Sequence, residues 1–197
     1  MKTIGITGGV GAGKSEILIF LEKNYKAKIV RADEIAHLVM QPGKACYMRI
    51  VSLLGDRILN VDGTINRKEM GEMIFGREGL ISSVNSIVHP AVKEYILNDE
   101  AYERQNGRFD YYFLESALLV MDGYERLCEE LWYVHTDLEV RKERLKASRG
   151  YTDEHIENIM RNQPDDSMFR THSMCVIDNS GALEDTYKQI RSLLGAA

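Results

Sequence analysis

Short apolar runs alternate with longer amphipathic segments along this 197-residue chain. The segment SEILIFLEKN (15–24), for example, repeats apolar residues at the spacing of a helix. Five apolar runs have the length and composition of strands: TIGIT (3–7), AKIVRA (27–32), FDYYFLE (109–115), LWYVHT (131–136) and MCVID (174–178). Alternation of strands and helices requires crossover connections, so the pattern predicts an α/β fold with a central parallel five-stranded sheet flanked by helices.

Two segments between the predicted strands are too long to be simple crossovers. Residues 34–108 carry helical patterning throughout, punctuated by turn signals, and proline at position 90 predicts a helix junction because it disfavours helix at the preceding residue. Residues 137–164 read as two basic helices broken at Gly150. We therefore expect one domain with a helical insertion (34–108), a second helical segment (137–164) and a core formed by residues 1–33, 109–136 and 165–197.

Composition and charge narrow the possible functions. The chain is 44% hydrophobic and 28% charged, as in soluble globular proteins, and its net charge of −5 argues against a nucleic-acid partner. Three cysteines far apart and five histidines without metal-ligand spacing predict neither a disulfide framework nor a zinc site. No apolar run reaches the ~18 residues of a membrane span, and the first strand leaves no room for a signal peptide. We expect a cytoplasmic protein without a membrane anchor or an obligatory protein partner.

The segment GGVGAGKS (8–15) fits the pattern G-x-x-x-x-G-K-[ST] of a P-loop, and it follows a predicted strand and opens a predicted helix. Glycines let such a loop turn its N–H groups toward phosphate oxygens, while the positive end of the helix faces the same anion. The lysine reaches the β- and γ-phosphates, and the Ser15 hydroxyl suits Mg²⁺. The residues predicted to bind ATP are Gly9, Val10, Gly11, Ala12, Gly13, Lys14 and Ser15.

Two acidic residues end neighbouring predicted strands. Because parallel strands open onto one crevice at their carboxyl ends, Asp33 and Glu115 are expected near the phosphates. Asp33 suits a base that accepts the proton of an attacking hydroxyl, as a small-molecule kinase needs, although an aspartate there also caps a helix. Glu115 either holds Mg²⁺, directly or through water, or caps the following helix, and the sequence leaves both alternatives open.

The basic residues of the second helical segment (137–164) predict that this segment forms a lid over the transferring phosphate. Arginines there would stabilise the charge on the phosphate and exclude water, and Arg144 and Arg149 are the residues favoured for this contact over Arg141, Lys146 and Arg161. A charged run on a helix is otherwise a solvated face. The turn DNSG (178–181) after the last strand is expected to surround the adenine ring, with Asn179 as the predicted contact, or to be an ordinary turn.

Together these segments resemble the dephospho-CoA kinase family, P-loop kinases that phosphorylate the ribose 3′-hydroxyl of dephospho-CoA in the last step of coenzyme A synthesis. The combination of DGTINR with DNSG is much more specific to one family than a P-loop alone, which many proteins share. The resemblance runs over nearly the whole chain and rests on IGITGGVGAGKS (4–15), AD (32–33), QPG (41–43), DGTINRKEMGEMIF (62–75), HP (89–90), LESALL (114–119) and VIDNSG (176–181).

The resemblance implies a three-layer P-loop kinase fold in which residues 34–108 hold the acceptor dephospho-CoA and residues 137–164 form a lid. It implies that Gly11, Gly13, Lys14 and Ser15 bind ATP and Mg²⁺ and that Asp33 is the catalytic base. Lys14, Arg144 and Arg149 are the other residues predicted to be catalytic. Two residues depart from the family pattern: Arg31 stands where the family often has aspartate, and Ala117 where it often has proline. Two alternatives remain: a P-loop kinase of another small acceptor, such as a nucleoside monophosphate or shikimate, and a nucleotide-binding regulatory protein without catalysis.

Overall fold

The strand that precedes the P-loop lies at the centre of a five-stranded sheet in a computed structural model, which describes residues 1–116, 119–120 and 123–195. The strands are β1 (Lys2–Thr7), β2 (Ala27–Arg31), β3 (Tyr111–Glu115), β4 (Glu130–His135) and β5 (Cys175–Asp178). Their order across the sheet is β2-β3-β1-β4-β5. The pairings of β1 with β3, of β1 with β4 and of β4 with β5 are all parallel. The predicted α/β class with a parallel five-stranded sheet is confirmed.

Helices connect the strands. They are α1 (Lys14–Asn24), α2 (Ala32–Val39), α3 (Ala45–Leu54), α4 (Arg67–Ile74), α5 (Glu78–Asn106), α6 (Leu138–Arg149), α7 (Asp153–Arg161), α8 (Asp166–His172) and α9 (Leu183–Leu194). The chain divides into two compact units, one formed by Met1–Val30 with Asn106–Ala197 and the other by Arg31–Gln105. The predicted division into core, acceptor insertion and lid stays a prediction.

The first unit buries the sheet on both faces, as parallel sheets require. On one face, side chains of β1, β3, β4 and β5 form a core with residues of α1 and α9, among them Trp132, Ile17 and Ile190, each 0% exposed. On the other face, Tyr133 of β4 stacks on Phe169 of α8, with ring centroids 4.9 Å apart. These contacts give the helix–sheet–helix layering and hold the carboxyl ends of the strands in fixed register.

The structure corrects two expectations for the second unit. Pro90 lies inside α5, where a helix junction was expected. The helix continues because Val88, Val92 and Ile96 are buried along one face, and this packing outweighs the hydrogen bond that proline cannot make. Residues 59–65, expected to be helical with a turn, instead form an antiparallel bridge between Leu59 and Ile65.

A third difference concerns the first unit, where α8 lies in a stretch for which no element was predicted. Asp165 caps this helix by accepting a hydrogen bond from the N–H of Met168.

Across the described ranges, no helix combines the length and the apolar character needed to cross a bilayer.

Two isoleucines of α1 provide a test of the core. Ile17 is 0% exposed, whereas Ile19, half a turn away, is 40% exposed. Ile17→Ala is expected to lower the free energy of unfolding by about 2–5 kcal/mol because it removes three buried carbons and leaves a cavity. Ile19→Ala is the matched control and should cost clearly less. Urea denaturation of both variants measures the difference, and equal losses would contradict the packing described here.

Candidate active site

The P-loop joins the end of β1 to the start of α1. Gly13 caps α1 with a φ of 84°, a left-handed conformation that glycine adopts without strain. The side chain of Lys14 folds back over the loop, and its Nζ donates a hydrogen bond to the Gly8 carbonyl at 2.7 Å. Ser15 lies in the first turn of α1, at the helix N-terminus, where an anion is favoured by the helix dipole.

Glu115 ends β3 and pairs in register with Ile6 of β1, so the sheet places it beside the P-loop. Its Oε1 lies 3.5 Å from Lys14 Nζ, and the two side chains are only 15% and 12% exposed. A carboxylate and an ammonium group thus lie close together at the carboxyl ends of β1 and β3. The site thus places a positive charge and a carboxylate side by side next to the P-loop.

Arg141 of α6 contacts the P-loop directly. Its Nε donates to the carbonyl of Val10 at 3.0 Å, and its Nη2 donates to Gln163 Oε1 at 2.9 Å. The same Gln163 oxygen accepts a hydrogen bond from the N–H of Val10 at 3.1 Å. Both polar groups of Val10 are therefore bound by side chains from the segment after β4.

The guanidinium of Arg141 also explains one glycine of the loop. A Cβ added to Gly9 would lie 2.3 Å from Arg141 Nη2, which is closer than real atoms approach. A Cβ at position 9 would therefore require the guanidinium end of Arg141 to shift from its present position. The glycine at this position thus serves the close approach of a side chain to the backbone.

The surroundings of Arg141 include a polar network that runs from the buried Tyr133 to the exposed Asp166 and Arg170. Burial lowers the pKa of Arg141, partly offset by Tyr133 and Asp166 nearby. Burial and a hydrogen bond to Asp166 raise the pKa of Tyr133. Burial alone would raise the pKa of Asp166, but hydrogen bonds from Arg170, Tyr133 and His135 outweigh it and hold that pKa below its usual range. This network ties β4 to α8 behind the arginine.

The two favoured lid arginines have different positions on α6. A Cβ added to Gly13 would lie 3.5 Å from Arg144 Nη1, so Arg144 reaches the P-loop. Arg149 is exposed at the end of α6, and its guanidinium lies over the ring of Tyr151, 5.8 Å from the centroid. The helices α6 and α7 are present as predicted, with Gly150 at a φ of 64° as the C-cap. Which arginine contacts the transferring phosphate stays a prediction.

Asn179 is almost completely buried, with 1% of its surface exposed. Its Nδ2 donates to the Ala12 carbonyl at 2.8 Å, and its Oδ1 accepts from Thr186 Oγ1 at 2.9 Å. The contact that the structure contains is therefore with the P-loop backbone. The predicted contact with adenine stays a prediction.

Three further sequence features can be located. Asp33 is the second residue of α2, directly after β2, and its side chain is exposed in the second unit. Arg31 is the last residue of β2 and pairs with Glu34 at 3.5 Å. Ala117 lies outside the described residues. In the part of the chain that is described, no three histidine, cysteine or acidic residues cluster as a metal site.

Sequence reasoning did not identify Gln163 and ranked Arg141 below its neighbours. A local signal was available for the arginine, because it lies one helical turn before Leu145, an apolar residue in a charged helix. Leu145 is 1% exposed and packs beside Gly11, so its face of α6 is turned toward the P-loop. No comparable signal marks Gln163, whose role depends on a contact 153 residues away.

Comparison with known proteins identifies the family. The family model described as "Dephospho-CoA kinase" matches residues 2–185. The chain belongs to the dephospho-CoA kinase family. A dephospho-CoA kinase of Shouchella clausii is 32% identical over 191 residues, covering 97% of this chain and 96% of its own. One of Dehalococcoides mccartyi is 34% identical over 185 residues, covering 94% and 92%. The expected kinase class is confirmed, and membership of a kinase family implies ATP as co-substrate.

Solved structures support the fold. A Thermus thermophilus structure has a TM-score of 0.81 at 24% identity, covering 98% of this chain and 96% of its own. A dephospho-CoA kinase from Campylobacter jejuni has a TM-score of 0.72 at 21% identity, covering 98% of both chains. Shikimate kinase from Acinetobacter baumannii has a TM-score of 0.50 at 15% identity, covering 98% of this chain and 93% of its own. At these identities the likeness concerns the fold alone, and it confirms the predicted P-loop kinase-type fold.

Proposed function

We propose that this chain transfers the γ-phosphoryl group of ATP to the ribose 3′-hydroxyl of dephospho-CoA, giving coenzyme A and ADP in the cytoplasm. The observation that carries the proposal is the family match, which spans residues 2–185 and so includes both compact units. The P-loop with Lys14 and Glu115 beside it supports phosphoryl transfer from a nucleotide. A regulatory protein without catalysis is less well supported, because the charged residues of the site are retained.

The donor site is built from the P-loop and α1. Gly9 to Ser15 would surround the phosphates with N–H groups, and Lys14 would move from the Gly8 carbonyl to the β- and γ-phosphate oxygens. Ser15 and Glu115 offer oxygen ligands, which suits Mg²⁺, an ion bound by few protein oxygens together with phosphates and water. When bound, Mg²⁺ would neutralise charge on the β- and γ-phosphates. Glu115 also keeps Lys14 oriented through the 3.5 Å ion pair.

A cavity in the second unit supports a bulky acceptor. It has a volume of about 350 Å³. Apolar residues of α2 and α3, such as Leu38 and Cys46, form part of its wall, while Lys44, Glu94 and Asn98 offer polar groups. Dephospho-CoA has an adenosine, a pyrophosphate and a long pantetheine arm, so it needs both kinds of surface. A nucleoside monophosphate has no such arm to bury.

The acceptor assignment is tested by comparing substrates. We expect kcat/KM for dephospho-CoA to exceed the values for AMP, adenosine and shikimate by at least about 10²-fold, because only dephospho-CoA uses binding energy from the arm. ADP release under identical ATP–Mg²⁺ conditions measures all four. Equal or lower efficiency with dephospho-CoA would contradict the proposal and leave a P-loop kinase of another acceptor.

Asp33 is proposed as the base that accepts the proton of the 3′-hydroxyl. Asp33→Asn preserves the shape of the side chain but removes the proton acceptor, so kcat should fall by about 10²–10⁴-fold while ADP affinity changes little. Steady-state kinetics and calorimetry measure the two quantities.

Glu34→Gln is the matched control for Asp33, because this neighbouring carboxylate is exposed and pairs only loosely with Arg31, at 3.5 Å. It should turn over at close to the unchanged rate. If Asp33→Asn loses ADP affinity and keeps its kcat, Asp33 serves nucleotide or metal binding and is not the base.

Arg141 is proposed to stabilise the transferring phosphate, alongside the predicted Arg144 and Arg149. Its guanidinium already lies over Gly9 and Val10. Arg141→Lys should lower kcat by about 10²-fold, because an ammonium group cannot reproduce the forked hydrogen bonds. Arg149→Lys, at the exposed end of the same helix, is the comparison. If both substitutions lower kcat equally, the contact of Arg141 with Val10 does not single it out as the arginine that stabilises the transferring phosphate.

A further inference from the structure

The carbonyl of Ala12 is held by two buried side chains from distant parts of the chain. Thr136 Oγ1 donates to it at 3.0 Å, and Asn179 Nδ2 donates at 2.8 Å. Thr136 is 4% exposed, Asn179 1% and Ala12 1%. Both side chains approach this P-loop carbonyl from inside the protein, and the single hydroxyl proton of Thr136 is shared between the Ala12 carbonyl and the His135 carbonyl, which lies at 2.8 Å.

The orientation of the Asn179 amide is fixed by a third residue. A carbonyl oxygen only accepts hydrogen bonds, so the Nδ2 of Asn179 must face Ala12 and its Oδ1 must face away. Thr186 in the first turn of α9 donates to that Oδ1 at 2.9 Å and is itself 1% exposed. Gln189, one turn later, binds both the N–H and the carbonyl of Asp178 at 2.9 and 2.8 Å. Helix α9 therefore fixes the turn that carries Asn179.

Fixing the Ala12 carbonyl also fixes an N–H of the loop. A trans peptide points its carbonyl and its N–H in opposite directions, and the described peptide bonds include no cis bond. The Ala12 carbonyl points to the buried side chains, so the Gly13 N–H in the same plane points the other way, to the side of the phosphates. A Cβ added to Gly13 would lie 2.3 Å from Asn179 Nδ2, so the amide packs directly against this peptide.

We propose that Asn179, Thr186 and Thr136 are positioning residues for the nucleotide. They act through the Ala12–Gly13 peptide, and the side chain of Asn179 does not touch the nucleotide itself. This role differs from the adenine contact expected from the sequence. The inference rests on nucleotide binding by the P-loop, as in the proposed function, but not on the identity of the acceptor.

Calorimetric titration of the full chain with ADP tests the inference. Thr186→Val keeps the shape of the side chain but removes the hydroxyl, so the Asn179 amide loses its fixed orientation. A lost buried hydrogen bond is worth enough to raise the Kd for ADP by about tenfold. Thr186→Ser restores a hydroxyl and should restore the affinity. Thr136→Val acts on the same carbonyl from the other side and should raise the Kd in the same direction.

Ile190→Val is the control for stability alone, because Ile190 is fully buried on the same helix but packs in the hydrophobic core. It should lower the melting temperature and leave the Kd for ADP unchanged. In the Thr186→Val enzyme, KM for ATP should rise while KM for dephospho-CoA stays constant. Failure of the proposed function would be seen separately, as no turnover of dephospho-CoA by the unsubstituted chain. An unchanged Kd for ADP in both Thr186→Val and Thr136→Val, with a lowered melting temperature, would overturn the inference.

Discussion

A loop that binds phosphate through its backbone must keep several N–H groups pointed at one place, although their dipoles repel one another. Side-chain contacts with the carbonyls of the loop supply the required restraint here. The carbonyls of Gly8, Val10 and Ala12, at alternate residues, each accept a hydrogen bond from a side chain. Each contact restrains one carbonyl and, through the planar trans peptide, the N–H group of the next residue. The donors come from α1, from α6 and from the segments that follow β4 and β5, all within the first unit.

The contacts differ in their electrostatic character. Ala12 is held by neutral groups that are fully buried and that depend on the last strand and helix. Val10 is held by a guanidinium whose pKa is lowered by burial, and Gly8 by an ammonium group. A cation is attracted to an arriving phosphate, whereas a neutral hydrogen-bond donor is attracted much less. Neutral contacts thus maintain the shape of the loop, while the charged ones are suited to exchange a carbonyl for a phosphate oxygen.

Sequence reasoning succeeded where the determining pattern is local. The strands, the P-loop and the break at Gly150 each follow from residues within one element. It was less successful for features that depend on distant contacts. Pro90 stays helical because of packing along α5. Asn179 reaches a carbonyl 167 residues away, and a short polar turn gives no sign of that partner. The dephospho-CoA kinase family was recognisable because several of its motifs occur together.

The strand order has a consequence for biosynthesis. The P-loop ends at residue 15, yet Asn179 and Thr186 belong to the last tenth of the chain. A chain emerging from the ribosome therefore carries a complete nucleotide-binding motif long before its backbone can be held in the binding geometry. Contacts of such large sequence separation also form late in folding, because long loops must first be closed. Chains that end before Asn179 therefore lack the side chain that holds the Ala12 carbonyl from the last strand of the sheet.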